Sequence, residues 1–166
     1  DKFKGEERVL VPSPKVDTYD LQPEMNAEKV CRLALKAQKG NKYNFILVNF
    51  ANPDMVGHTG NMKAVIAAVE TVDEKLGRII ENRSENETII VTADHGNAEE
   101  MIDRRTGNEH TEHTSNPVPF ILINHQKGEL RSGESLAGIA NGILEELELP
   151  IPKEIKGHSI YHKQNL

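Results

Sequence analysis

Three short loops cluster residues that could bind a cation or move a proton. The first, Ala51-Asn52-Pro53-Asp54-Met55-Val56-Gly57-His58-Thr59-Gly60, follows the apolar run FILVNF. The second, Ala93-Asp94-His95-Gly96-Asn97, follows TIIVT, and the third, His110-Thr111-Glu112-His113-Thr114-Ser115-Asn116-Pro117, precedes VPFILI. Four of the seven histidines fall in these loops, together with Asp54 and Asp94. Carboxylate oxygens and neutral imidazole nitrogens are the ligands that zinc, manganese and iron accept, and no thiolate stands nearby to narrow the choice. Asp54 and His58 are four residues apart, so one turn of chain points both to one side. Asp94 and His95 are adjacent and diverge in an extended chain unless Gly96 turns it. Such a pair can straddle two ions, and paired metals clamp both oxygens of a phosphoryl displacement.

Each of these residues also has a purely structural reading. Asp94 could cap the stretch after Asn97, His95 could be a hydrogen-bonded loop histidine, and Asp54 after Pro53 could be a turn residue. His110 is the weaker of its pair, because His113 suffices as a ligand. His125, His158 and His162 read as surface or tail histidines. Glu99, Glu100 and Asp103 read as a solvated face, as do Glu145, Glu146 and Glu148, and Arg104 and Arg105 as solvated loop residues.

The elements that must position the loops follow from periodicity. Phe45 to Phe50, Thr88 to Thr92 and Val118 to Ile123 are short apolar runs without polar alternation, the pattern of strands covered on both faces. Val9-Leu10-Val11 is a further strand candidate before Pro12-Ser13-Pro14. Helix-period segments cover Asn26 to Gln38, Met62 to Glu81 and Leu136 to Leu147. In the second, Val65, Ala68, Val69, Val72, Leu76, Ile79 and Ile80 form one apolar stripe. Ala140-Asn141-Gly142 places two poor helix formers inside the third and weakens it. The alternation implies an α/β fold with a largely parallel sheet flanked by helices, whose ligand crevice lies beyond the carboxyl ends of the strands.

Composition sets outer bounds. With 166 residues, 37% hydrophobic and 28% charged, the chain suits one globular unit. A net charge of -6 and 4% aromatics offer no basic surface for nucleic acid. No apolar span is long enough for a membrane, and one cysteine, Cys31, forms no internal disulfide, which points to the cytoplasm. The opening Asp1-Lys2-Phe3-Lys4-Gly5-Glu6-Glu7 carries neither an initiator Met nor a signal peptide, so the chain is expected to start partway through a longer protein.

NFANPDMVGH (49 to 58), TADHGNAEEM (92 to 101) and HTEHTSNPVPF (110 to 120) closely resemble the cofactor-independent phosphoglycerate mutase family, a branch of the alkaline phosphatase superfamily. PSPKVDTYDLQPEM (12 to 25) is similar to the stretch where that family's chain returns from its inserted substrate domain. The resemblance implies an alkaline-phosphatase-like fold, of which residues 1–166 are the C-terminal segment of the metal-binding phosphatase domain and residues 1–25 the returning segment. It implies two divalent ions, commonly manganese, with no requirement for 2,3-bisphosphoglycerate. Asp54, His58 and His113 resemble the ligands of one ion, and Asp94 and His95 resemble two ligands of the other. The family's nucleophilic Ser, a further Asp, and the basic residues that hold substrate lie in regions without counterpart here, so the resemblance leaves the catalytic nucleophile and the substrate-binding residues unassigned.

The serines of this chain agree with that gap. They are Ser13, Ser84, Ser115, Ser132, Ser135 and Ser159; only Ser115 is near a candidate ligand, in a stretch suited to turn capping. The expected function of the parent protein is interconversion of 3- and 2-phosphoglycerate in glycolysis through a phosphoserine intermediate, as a monomer. The present chain is expected to be inactive alone, to self-associate through exposed sheet edges, and to be disordered at Asp1 to Glu7 and Lys163 to Leu166. The alternatives are a phosphopentomutase or other metal-dependent phosphatase of the same superfamily, and a non-catalytic metal-binding fragment.

Overall fold

The computed structural model describes residues 2–124 and 128–163; the expectations for Asp1, His125 and Gln164 to Leu166 lie outside them. Helices and strands are mixed, with α1 at Ala27–Lys39, α2 at Asn52–Gly57, α3 at Met62–Glu81, β1 at Ile89–Thr92, β2 at Phe120–Ile123, β3 at Gly128–Leu130, α4 at Ala137–Glu146 and β4 at Tyr161–Lys163. The chain divides into two compact units, Asp1–Ser84 with His95–Pro117, and Glu85–Asp94 with Val118–Leu166. Among the described residues no helix is long and apolar enough to cross a membrane.

The first unit is built on α1, α2 and α3. Asn61 caps α3, its side-chain oxygen accepting from the Ala64 N–H at 3.3 Å. Val56 of α2 and Ala64, Val65 and Ala68 of α3 form a buried cluster with Met101. The expected stripe on α3 is shifted toward Ala64, and Val69, at 44% exposure, lies outside the core. Cys31 of α1 is fully buried and faces the Lys75 carbonyl of α3 at 3.6 Å; burial pushes its thiol pKa up. At the exposed edge of this seam Glu28 accepts from Arg78 at 2.6 and 3.3 Å and pairs with Lys75 at 3.0 Å. The Arg78 and Lys75 hydrogen bonds hold its carboxyl at about 2.

The second unit contains both ladders. The α/β class stands, but the strands that pair do so antiparallel: β1 with β2, Ile89 opposite Ile123 and Thr92 opposite Phe120, and β3 with β4. No parallel ladder forms among the described residues. Phe45 to Phe50 and Val9 to Val11 have strand composition yet join no ladder, and Leu47 and Leu10 are 83% and 88% exposed. An apolar run becomes a strand only where another segment satisfies its N–H and C=O groups, and no described segment does so for these two. Helix α4 forms across Ala140-Asn141-Gly142, because burial outweighs propensity there. Asn141 is 2% exposed and its side-chain amide donates to the Gly157 carbonyl at 2.9 Å.

Candidate metal centre

The short helix α2 carries the first two candidate donors. Pro53 sits in its first turn, where a missing N–H costs nothing. Asn52 anchors the helix from below, 3% exposed, with its side-chain amide donating to the Pro23 carbonyl at 2.8 Å. One turn separates Asp54 from His58, whose N–H donates to the Asp54 carbonyl at 3.1 Å, and the two side chains meet with His58 Nε2 3.2 Å from Asp54 Oδ1. The spacing of four read from the sequence is therefore a helical i,i+4 pair.

The other donors come from the loop 95–117, which crosses itself at two isolated bridges, Gly96 with Thr114 and Ile102 with Glu109. His113 brings Nε2 to 3.0 Å from Asp54 Oδ1 and 3.2 Å from His58 Nε2. His95 stacks on His113 with ring centroids 3.7 Å apart and places Nε2 3.9 Å from Asp54 Oδ1. One ligand atom from each of Asp54, His95 and His113 lies within 4.8 Å of the others. Atoms bound about 2.1 Å from one ion stand roughly 3.0 to 3.4 Å apart in octahedral or tetrahedral geometry. The Asp54, His58 and His113 donors fall in that range, and His95 lies just outside it. A carboxylate oxygen among imidazole nitrogens, all partly exposed, suits a borderline divalent ion reached from solvent.

Orientation of these rings is set by groups behind them. The Nδ1–H of His58 donates to the Thr111 carbonyl at 2.6 Å, which leaves the Nε2 lone pair of the neutral ring facing Asp54 and His113. Asn97, 5% exposed, donates to the carbonyls of Thr111 and Glu112 at 3.4 Å each. Its Oδ1 has no hydrogen-bond partner among the described residues and lies against Gly57, where a Cβ would stand 1.8 Å away. Glycine is required at 57 for that close approach.

The sequence-derived candidates separate as follows. Asp54, His58, His113 and His95 converge in the first unit. Asp94 is the last residue of a segment of the second unit, exposed in the bend after β1, and the boundary between the units runs between it and His95. His110 turns away from the donors, its Nδ1–H donating to the Glu100 carbonyl at 3.0 Å. The solvated-face reading of Glu99, Glu100 and Asp103 misses their contacts. Glu99 accepts from the Asn97 N–H at 2.7 Å, from the Thr114 hydroxyl, and from the Asn116 amide at 3.0 Å. Partial burial pushes the Glu99 carboxyl up, but these donors outweigh it and hold the group below the usual carboxylate range. Glu100 accepts from Asn116 at 3.1 Å, and Asp103 closes a turn by accepting from the N–H groups of Arg105 and Thr106 at 2.7 and 3.1 Å. Arg105 stays exposed at 87%.

Comparison with known proteins places these features in a family. The profile of the metalloenzyme superfamily matches residues 1–151. Over 158 residues the chain is 52% identical to a 2,3-bisphosphoglycerate-independent phosphoglycerate mutase of Clostridium botulinum, covering 95% of this chain and 31% of the relative. The corresponding protein of Thermomicrobium roseum is 54% identical over 166 residues, covering 96% and 32%. Among solved structures, Leishmania mexicana phosphoglycerate mutase at low cobalt concentration superimposes with a TM-score of 0.82 at 32% identity, over 93% of this chain and 31% of that one. The chain thus spans about a third of the length of the curated relatives it matches.

Proposed function

The chain belongs to the metalloenzyme superfamily, and from that premise we propose that it supplies the metal-binding half of a phosphoglycerate mutase site. The single observation that carries this reading is the convergence of Asp54, His58 and His113, with donor atoms 3.0 to 3.2 Å apart, on the residues the sequence marked as ligands of one ion. Its support beyond geometry is that relatives about half identical to this chain are 2,3-bisphosphoglycerate-independent phosphoglycerate mutases. The bound ion, manganese in this reading, supplies a Lewis acid that offsets charge on the substrate's oxygens.

The chain's own residues do the rest of what is assigned here. Asp54 contributes the anionic ligand that balances the ion's charge. His58, fixed by the Thr111 carbonyl, and His113 contribute neutral nitrogens. Asp94 and His95 are the residues that would hold a second ion, His95 placing Nε2 3.9 Å from Asp54 Oδ1. In the full reaction a phosphoryl group moves between the 3- and 2-hydroxyls of glycerate by way of an acceptor serine, without 2,3-bisphosphoglycerate, in the cytoplasm and within glycolysis. None of the six serines is among the residues that converge on Asp54, so the acceptor and the substrate-holding cations are assigned to the part of the relatives' length that this chain does not span.

The test is enzymatic. With saturating manganese the 166-residue chain should neither isomerise 3-phosphoglycerate nor hydrolyse a generic phosphate monoester. A longer protein containing it should isomerise phosphoglycerate, prefer it over the generic monoester, and lose that activity on Asp54→Ala. Turnover by the 166-residue chain would refute the missing acceptor, and preference for the generic monoester would favour a phosphatase.

A further inference from the structure

We propose that Glu99 is a positioning residue, a carboxylate that clamps the strand of loop carrying His95 to the strand carrying His113 and so sets the spacing of the two imidazoles. The inference rests on the metal-centre reading for its purpose, but its geometry stands without it.

The backbone already brings the two histidines together. Gly96 follows His95, Thr114 follows His113, and these two successors pair antiparallel, with the Thr114 N–H donating to the Gly96 carbonyl at 2.9 Å. The preceding residues, His95 and His113, are then diagonal neighbours on the opposite face of the pair, a separation that aromatic rings can span. Their rings stack at 3.7 Å and 21°. This bridge is isolated, so on its own it ties the two segments at one point only. Glu99 adds further ties. One oxygen takes the Asn97 N–H at 2.7 Å on the His95 side, and the other takes the Thr114 hydroxyl and the Asn116 amide on the His113 side. A carboxylate is suited to this task because its two oxygens offer about four acceptor sites, so it can serve three donors from two segments at once. Gly96 makes room for it: a Cβ there would lie 2.4 Å from the Glu99 carboxylate and 2.2 Å from the Thr114 hydroxyl oxygen. Glu99 acts on the centre through the loops it joins.

The experiment uses the 166-residue chain free of metal and then titrated with cobalt(II) alone. Without metal, stacked imidazoles shift each other's ring C–H resonances upfield. Glu99→Ala, and independently Thr114→Val, should move the His95 and His113 ring signals toward unstacked positions, whereas the equal charge change Glu112→Ala should not. With cobalt, Glu99→Ala should weaken binding roughly tenfold, in the range found for groups behind metal ligands, and alter the visible absorption band. Glu99→Gln, which keeps an acceptor oxygen for one segment and turns an NH2 toward the donors of the other, should be impaired nearly as much as Glu99→Ala. Wild-type ring signals in folded Glu99→Ala would overturn the proposal, and so would a Glu99→Gln variant that behaves as wild type, since one acceptor oxygen cannot join both segments. Should Glu99→Ala fail to fold, Thr114→Val carries the same test. Ring signals that respond to Glu99→Ala in a chain that binds no cobalt would uphold the clamp and refute the metal centre instead.

Discussion

Helix α2 and the loop 95–117 deliver donors to the same point by different means. In α2 the pair Asp54 and His58 is fixed by one helical turn, and its backbone hydrogen bond does not depend on any side chain. In the loop, His95 and His113 are brought together from residues 18 apart in sequence by two isolated bridges and a few side-chain hydrogen bonds. The first arrangement is local and tolerant of change elsewhere, whereas the second concentrates its dependence in Asn97, Glu99 and Thr114. Helical geometry therefore encodes a ligand pair in spacing alone, and a loop needs bracing residues that spacing does not reveal.

The largest effect separates ligands from neighbours of the same type. His58→Ala and His113→Ala should each weaken manganese binding about a hundredfold, at the upper end of losses seen even for groups behind the ligands, while His110→Ala should change it less than threefold; titration calorimetry decides between them. Equal losses at all three positions would erase the distinction between the converging histidines and the one turned to Glu100. Next comes the contact where the two regions touch. Gly57→Ala drives a methyl into Asn97 and should destabilise the metal-free chain by roughly 1–3 kcal/mol, the usual range for overpacking, read from urea midpoints. A neutral result would show that Asn97 can swing away at no cost.

A smaller effect is expected from the cap of α3. Asn61→Ala should cost about 1 kcal/mol in the same urea experiment without altering manganese affinity, because it loosens the helix that follows the donors and not the donors themselves. The smallest is electrostatic. Glu28 is depressed from about 4.5 to about 2 by Arg78 and Lys75, so its contribution is fully present above about 4.5 and is lost as pH falls toward about 2. Wild type should exceed Glu28→Gln in stability by a constant margin near neutrality, and the margin should shrink across that acid window. A margin unchanged down to pH 2 would mean that the pair does not form.

What the sequence made legible follows the same division. The limits of α3 and the approximate limits of α1 were readable because each has a long apolar period bounded by asparagine or glycine, and those of α4, which lies between Leu136 and Leu147, from its apolar period alone. Residues 89–92 and 120–123 were readable as strands from apolar runs, but their antiparallel pairing was not, since an alternation of helices and strands suggests crossovers without fixing which edges meet. The strands β3 and β4 are three residues each and carry no apolar run, so only the ladder defines them. In the site, Asp54, His58, His95 and His113 were named from residue type and loop position. Glu99 and Asn97 were not, because an acid and an amide in a polar loop look solvated until the partners of their oxygens are known. The available signal was a pair of glycines, Gly57 and Gly96, which mark close approach without saying of what.

The central claim, that Asp54 anchors a metal centre, is tested most directly by the manganese content of the purified 166-residue chain at equilibrium with excess ion. The account predicts at least one ion per wild-type chain and at least one fewer in Asp54→Ala, with the fold of both intact by circular dichroism. No bound ion in the wild type, or equal content in the two proteins, would contradict it.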